Sequence, residues 1–215
     1  MAKVKKKKRS KLIYVLIPIL LIAIGISIYL CYPFKKEDIP EETYKPIDII
    51  TSSVDIPSEE IPTEFSVAPD LPKVITIPAI SVKGYIQSVG IDQENRIAVP
   101  SNVHLAGWYI NSVRPGENGL SIMDGHKDGT TLGGIFKNVE KLKNGDELSI
   151  EYGDGTIKEF KVVDVKKVSI EDAFDLMYEK RDEIDRQLNL VSCGGRYNKE
   201  ERTYDDRIIV ISEGI

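Results

Sequence analysis

The sequence is poor in the side chains that build metal sites and disulfide frameworks. Its 215 residues include two cysteines, two histidines and one tryptophan. Two cysteines exclude a disulfide-rich scaffold and a four-cysteine zinc site. Two histidines leave little room for a catalytic zinc centre built mainly on imidazole. We therefore expect no metal and no other cofactor.

The formal net charge of -5 is an average over two different parts of the chain. Residues 1–11 carry seven basic side chains and no acidic one. The remainder holds 22 basic against 34 acidic residues, which gives it a net charge of -12. A basic head on an acidic body indicates contact with a membrane.

Residues 12–34 contain no charged side chain and are long enough to cross about 30 Å of hydrocarbon as a helix. A cleaved signal peptide has a shorter apolar core, of about 7–15 residues, and a small-residue cleavage site. A lipoprotein signal needs a small residue before Cys31, where Leu30 stands. We therefore predict a single-pass cell-membrane anchor over 12–34. The positive-inside bias makes 1–11 a cytoplasmic tail and places the rest outside.

Residues 33–72 hold seven of the eleven prolines, many acidic residues and no glycine. Each proline removes a backbone donor and fixes φ, which disfavours helices and central strands. We predict an extended extracytoplasmic stalk over 35–70, with a reach on the order of 100 Å at about 3.1 Å per residue. The alternative is that part of it packs on the following domain as an N-terminal strand.

Residues 71–215 contain short β-like runs separated by turn residues, such as Glu147–Tyr152 followed by the glycine-rich turn at 153–155. This spacing predicts one domain, an antiparallel sandwich or barrel with a single core. Apolar residues recur at helical spacing over 170–187, which predicts one amphipathic helix there. Its acidic residues offer oxygen ligands for calcium, although a solvated helix face is the favoured interpretation; they are Glu171, Asp172 and Asp175.

Cys193 is the cysteine with a chemical interpretation. Cys31 lies at the outer end of the predicted anchor, so we do not expect the two to pair. A free thiol in an oxidising compartment requires a reason. The strand-like run that ends at Cys193 is followed at once by Gly194 and Gly195, a setting in which backbone can approach a ligand. We favour a nucleophile over a buried small hydrophobic residue.

A thiol nucleophile needs a nearby base or cation, because free cysteine has a pKa of about 8.5. His126 follows a strand-like run and has the exposure that proton transfer requires, whereas His104 lies in an apolar run typical of a structural residue. Arg207 begins the last strand-like run, and its planar guanidinium suits a developing oxyanion. The alternative for Arg207 is a surface salt bridge to Asp205 or Asp206.

Taken in order along the chain, these segments resemble the sortases, membrane-anchored cysteine transpeptidases of mainly Gram-positive bacterial surfaces. The resemblance is carried by Val74–Ile80, Pro115–Gly119, Gly125 with His126, Phe136–Asp146, Leu190–Cys193 and Tyr204–Arg207. The cysteine segment departs from the family's usual Thr-Leu-x-Thr-Cys, since Asn189 and Ser192 replace the two threonines. The Cys-Gly-Gly is more similar to the class D, E and F branches than to the housekeeping branch.

The resemblance implies a mainly β fold, an eight-stranded β-barrel with one or two short inserted helices. It places His126, Cys193 and Arg207 together at one end as the catalytic residues. It implies that Cys193 attacks a C-terminal sorting signal of the Leu-Pro-x-Thr-Gly type, and that an amine resolves the thioacyl enzyme. The implied partners are surface proteins with such a signal, a cell-wall or pilin amine and the membrane, and not nucleic acid.

Two other functions stay open at this point. One is a hydrolytic cysteine peptidase or another cell-wall acyl-transfer enzyme, which would use the same thiol without the same acceptor. The other is a non-enzymatic membrane-anchored surface module, in which Cys193 would be inert.

Overall fold

The computed structural model describes residues 49, 51–52 and 56–215. The predicted tail at 1–11, the predicted anchor at 12–34 and most of the predicted stalk lie outside these residues. Within the described part, no helix combines the length and the apolar character needed to span a bilayer.

The described residues form a closed eight-stranded barrel with the strand order β1-β2-β3-β4-β7-β8-β6-β5. The strands are β1 (Pro72–Ile77), β2 (Val82–Val89), β3 (Ala106–Tyr109), β4 (Gly119–Gly125), β5 (Glu147–Tyr152), β6 (Ile157–Ser169), β7 (Arg186–Asn198) and β8 (Thr203–Gly214). The helices are α1 (Ile170–Tyr178) and the short 3-10 turns Pro78–Ile80 and Val139–Lys141. The prediction of a mainly β, eight-stranded barrel with few short helices is confirmed.

The prediction of an antiparallel sandwich or barrel holds for the barrel but not for every strand pair, because two of the pairs are parallel. β2 pairs with β3, and β4 pairs with β7, in parallel register. Parallel neighbours need a long crossover rather than a tight turn. The long segments 90–105 and 126–185 supply those crossovers, and local turn signals carry no information about such distant pairing.

The core lies inside the barrel, and the alternation of strand side chains explains β8 clearly. Ile208 and Val210 point into the main core, whereas Ile209 and Ile211 pack outward in a second cluster with Ala173 of α1. Both faces of β8 are therefore buried, which accounts for its run of consecutive apolar residues. By the same alternation, Arg207 lies on the outward side of this strand.

The helix predicted over 170–187 is shorter than expected. α1 begins after Ser169, whose hydroxyl accepts the backbone N–H of Asp172 as an N-cap. It ends at Tyr178, and β7 begins at Arg186. Ile184 is buried in the connecting turn and Leu188 in a strand, so apolar spacing across three elements resembled one helix.

Residues 56–70, the described part of the predicted stalk, lie against the barrel. Ser58 makes one isolated β-bridge with Asn102, and the ring of Phe65 stacks on Tyr85 with centroids 5.0 Å apart. Hydrogen bonds at Ser58, Glu59 and Glu60 add to these contacts, but the segment forms no strand of its own within the described residues.

Candidate active site

Cys193 and Arg207 lie directly opposite each other. β7 and β8 pair in antiparallel register, with Cys193 and Arg207 as Cα partners. Side chains of such a pair share a face and have Cβ atoms about 4.5–5.5 Å apart. The last strand therefore pairs beside the cysteine strand.

The sequence placed one limit of each of these strands wrongly. β7 continues beyond Cys193, and β8 begins at Thr203, before Arg207. The pairing becomes irregular between Gly194 and Tyr197, and Gly195 has a φ of 75° that favours glycine. The glycines after the thiol thus bend a continuing strand rather than terminate it.

His126 follows β4 directly, as predicted. Its Nε2 lies 2.8 Å from the carbonyl oxygen of Pro100. A carbonyl oxygen only accepts, so Nε2 carries the hydrogen and Nδ1 is the nitrogen left to exchange a proton. Burial lowers the pKa of the imidazole, while the hydrogen bond to Pro100 opposes that shift. The ring is therefore mainly neutral at neutral pH.

The Cys193 thiol is free and has a raised pKa. Burial is the main cause, and the charges of Asp124 and Asp128 add to it. Arg207 is the largest influence in the opposite direction, followed by Lys127. The resting group is therefore a thiol, and Arg207 is the cation that most favours its thiolate.

The Arg207 guanidinium is held by backbone carbonyls. Nη1 donates to the oxygen of Tyr204 at 3.1 Å and to that of Asp206 at 2.9 Å. Its acidic neighbours pair elsewhere in the described part of the chain, Asp205 with Arg196 and Asp206 with Lys167. The alternative of a surface salt bridge to these two residues is therefore not what the structure shows.

One cavity of about 630 Å³ is lined by all three predicted site residues. Its other walls combine apolar and charged side chains, among them Ile97, Val99, Met177, Val191, Arg96, Asp124, Tyr197 and Arg202. This volume lies in the range of small-ligand sites, and the apolar walls suit a short segment of extended peptide.

His104 is not brought to this cavity. Its Nε2 lies 3.2 Å from the backbone oxygen of Glu59, and it lines a separate cavity of about 340 Å³. The acidic residues of α1, Glu171, Asp172 and Asp175, do not line the cavity of Cys193 either. Among the described residues, no group of three or more His, Cys, Asp or Glu side chains is arranged to hold a metal ion.

Two residues of the site were missed at the sequence level. Asp124 lines the cavity, and its Oδ1 is buried with no hydrogen-bond partner among the described residues. Asn189 is fully buried and donates from Nδ2 to the backbone oxygen of Met177 at 2.9 Å, which holds the cavity wall. Alternation of side chains along a strand could have identified both residues. Asn189 lies an even number of residues before Cys193, and Asp124 lies two residues before His126, so each shares a side of its strand with a predicted site residue.

A barrel that brings a thiol, an imidazole and a guanidinium to one cavity defines a candidate cysteine enzyme. Residues 75–214 match the sequence model of the Sortase domain, which is well over half of the chain. The chain therefore belongs to the sortase family, and it is a cysteine transpeptidase that acts on surface sorting signals.

Solved structures of sortases resemble the chain. A sortase D5 transpeptidase from Clostridium perfringens is 28% identical over 68% of this chain and 79% of that chain, with a TM-score of 0.49. A lid mutant of sortase A from Corynebacterium diphtheriae is 22% identical over 69% and 72%, with a TM-score of 0.52. Sortase C1 from Streptococcus agalactiae is 22% identical over 71% and 72%, with a TM-score of 0.50. No curated protein sequence matches the chain.

Proposed function

We propose that Cys193 is the nucleophile of this transpeptidase, His126 its general acid and base, and Arg207 the stabiliser of its oxyanion. The supporting observation is that all three line one cavity, with Arg207 the direct strand partner of Cys193. Each residue type suits its role, since only the thiolate is strongly nucleophilic and only arginine is charged at every relevant pH.

Acylation begins from a thiol and a mainly neutral imidazole. The proton of the thiol passes to Nδ1 of His126, while Nε2 keeps its bond to Pro100. The guanidinium of Arg207 favours the thiolate that this transfer creates. The thiolate then attacks a backbone carbonyl of the sorting signal, and the negative charge moves to the carbonyl oxygen, near the same guanidinium.

Collapse of the tetrahedral intermediate breaks the C–N bond of the signal. The imidazolium of His126 donates its proton to the leaving amine, which leaves a thioacyl enzyme on Cys193. An incoming amine attacks the thioacyl carbon, the C–S bond breaks, and the acyl fragment is joined to the acceptor. We assign the acceptor to a cell-wall amine or a pilin lysine, and the signal to the Leu-Pro-x-Thr-Gly type.

The proposed location follows from the N-terminal sequence. The uncharged segment 12–34 behind a basic head supports a single-pass anchor with the barrel outside the cell membrane. Substrates held at the same membrane by their own C-terminal tails would meet the enzyme there. The Cys-Gly-Gly sequence supports placement among the class D, E and F branches.

Mass spectrometry after incubation with a Leu-Pro-x-Thr-Gly peptide library tests the assignment. Wild-type enzyme should gain the mass of an acyl fragment, and Cys193→Ala should gain none. His126→Ala should lose activity, whereas His104→Ala serves as the matched control at the second cavity. An acyl adduct on the Cys193→Ala variant would overturn the nucleophile assignment.

The same assay separates the competing functions. Added amine should convert product to a ligated peptide if the proposal holds. A free acid at saturating amine would instead identify a hydrolytic cysteine peptidase. A Cys193 thiol that reacts with neither peptide nor alkylating reagent would identify a non-enzymatic module.

A further inference from the structure

Asp124 places a carboxyl group in the catalytic cavity, and neither the fold nor the acylation step uses this group. It lies on β4, two residues before His126, and pairs in register with Val191 of β7 and Gly107 of β3. A side chain at Gly107 would collide with Oδ1. The glycine thus leaves the space that the carboxyl occupies.

The carboxyl has no counter-ion in the described part of the chain. Oδ1 is buried and accepts no hydrogen bond there. Three arginines line the cavity. Arg96 pairs with Asp92 at 2.9 Å, Arg207 donates to backbone carbonyls, and Arg202 forms no ion pair with Asp124 among the described residues. Asp124 as a whole is half-buried, so its carboxyl faces the cavity while Oδ1 is shut away from solvent. A buried acceptor oxygen costs stability unless a bound molecule supplies a donor.

Burial raises the pKa of Asp124 well above its ordinary value, with only its own backbone N–H opposing the shift. Ionised Asp124 would also oppose the Cys193 thiolate, because its charge raises the pKa of that thiol. During acylation the carboxyl is therefore best kept neutral. Once Cys193 is a thioester its sulfur bears no charge, and this repulsion disappears.

We infer that Asp124 binds the second substrate, receiving the primary ammonium of the acceptor beside the thioacyl enzyme and taking one of its protons. A primary ammonium has both the charge and the donors that Oδ1 of this carboxyl lacks within the described part of the chain. The inference rests on the proposed function, because it requires a thioacyl enzyme on Cys193.

The protons and bonds of this step balance. Asp124 loses its own proton to solvent as the ammonium R–NH₃⁺ binds. The carboxylate then takes one proton from the ammonium, which leaves R–NH₂ with a free lone pair. That lone pair forms the new C–N bond at the thioacyl carbon, and the C–S bond breaks to release the Cys193 thiolate. The surplus proton on the new amide nitrogen passes to His126, which is neutral at this stage.

The test separates the two halves of the reaction. Thioacyl enzyme is first formed with a Leu-Pro-x-Thr-Gly peptide and followed by mass spectrometry. Glycinamide or Nα-acetyl-lysine amide is then added, and the ratio of ligated to hydrolysed product is measured against amine concentration. The variant is Asp124→Asn, which keeps the shape of the side chain but cannot take the proton. The matched control is Asp128→Asn. The charge of Asp128 also raises the pKa of the Cys193 thiol, but its carboxylate already accepts a hydrogen bond from the Tyr204 hydroxyl.

We expect thioacyl enzyme still to accumulate in Asp124→Asn, with the ligated-to-hydrolysed ratio lower by on the order of 10²-fold, the usual contribution of a positioned base. Asp128→Asn should keep the wild-type ratio. An unchanged ratio in Asp124→Asn, or equal losses in acylation and ligation, would refute the inference. If Asp124→Asn does not fold, Asp124→Ser is read by the same ratio. Failure of the wild-type enzyme to form any thioacyl adduct would refute the proposed function itself.

Discussion

The Glu59 carboxylate accepts hydrogen bonds from both the backbone N–H and the hydroxyl of Thr131, so the segment before the barrel holds the loop that follows His126. The same carboxylate also accepts the N–H of Leu132 at 3.2 Å. Ser58, the preceding residue, bonds to the backbone of Ser101, next to the proline that contacts His126. Both chain segments that flank the imidazole are therefore tied to residues 58 and 59.

Glu59→Ala should lower kcat/KM by about tenfold, because the loop after His126 loses an acceptor for three donors and the ring is held less firmly. Glu60→Ala is the matched control. Glu60 accepts a hydrogen bond from Asn102 through its backbone oxygen, which the substitution leaves in place. A merely stabilising role would lower the melting temperature and leave kcat/KM unchanged at a temperature where both variants are folded.

The pH dependence of this contact follows from the depressed pKa of Glu59. Its hydrogen bonds, chiefly to the Thr131 hydroxyl, lower the pKa from an ordinary value near 4.5 to about 2. A lowered pKa stabilises the fold above the unfolded value, and that stabilisation is lost as the pH falls through the folded one. The difference in melting temperature between wild type and Glu59→Gln should be constant above about pH 5 and disappear towards about pH 2.

The pKa values of Cys193 and His126 predict a bell-shaped pH profile of kcat/KM. Burial raises the pKa of Cys193 and lowers the pKa of His126, so the thiol and the neutral imidazole coexist over a wide range of pH. Activity should fall on the acid side, below the ordinary histidine pKa of about 6.5, as the imidazole gains a proton before reaction. It should also fall on the alkaline side, above the ordinary cysteine pKa of about 8.5, as the thiol loses its proton. Iodoacetamide alkylation of Cys193 should rise only along the alkaline limb. Full alkylation reactivity at about pH 7 would show instead a preformed thiolate.

Arg207→Ala should reduce kcat by on the order of 10²–10³-fold, the usual loss when one oxyanion donor is removed. It should also shift the alkylation profile of Cys193 to higher pH, because Arg207 is the main cation that favours the thiolate. Arg207→Lys should restore most of the alkylation profile but less of kcat, since an ammonium keeps the charge without the planar fork. Arg196→Ala is the control, as that exposed arginine pairs with Asp205. An unshifted profile in Arg207→Ala would contradict the charge argument.

Sequence reasoning was most successful where the signal was local or ordered along the chain. The β5–β6 hairpin could be predicted because strand alternation and a glycine-rich turn lie within residues 147–165. The grouping of Cys193 with Arg207 was implied by the ordered resemblance to the sortases, and the pairing of the last two strands produces it. The limits of the strands, by contrast, were predicted wrongly. The glycine pair after Cys193 indicated the end of a strand, whereas it lies at a bend within β7.

The remaining features depend on contacts that no local pattern contains. The parallel pairing of β4 with β7 follows from the long crossover 126–185, and it alone brings Asp124 beside the cysteine strand. The end of α1 is held by Gln187 of β7, whose Nε2 donates to the backbone oxygen of Glu179 at 2.8 Å. That donor lies on another element, so helical periodicity could not reveal where the helix ends.

Asn189 offers a test of how this chain's departure from the family's usual cysteine segment is accommodated. Its Nδ2 donates to the oxygen of Met177 at 2.9 Å, and its Oδ1 accepts from Gln187 at 3.0 Å. Asn189→Thr, which introduces the residue usual in the family, shortens the side chain so that it cannot make both bonds. Each buried group left without a partner costs about 1–3 kcal/mol, so the free energy of unfolding should fall by about that amount.

Loss of these hydrogen bonds should also affect the active site, because the Asn189 amide holds Met177, which lines the cavity. We expect KM for the peptide to rise more than kcat falls in Asn189→Thr, measured beside urea unfolding of the same variant. Ser212→Ala is the matched control: its buried hydroxyl has no hydrogen-bond partner among the described residues, so removing it should leave both stability and KM close to wild type. Equal destabilisation by the two substitutions would show that burial, rather than the bonds of the Asn189 amide, determines the effect.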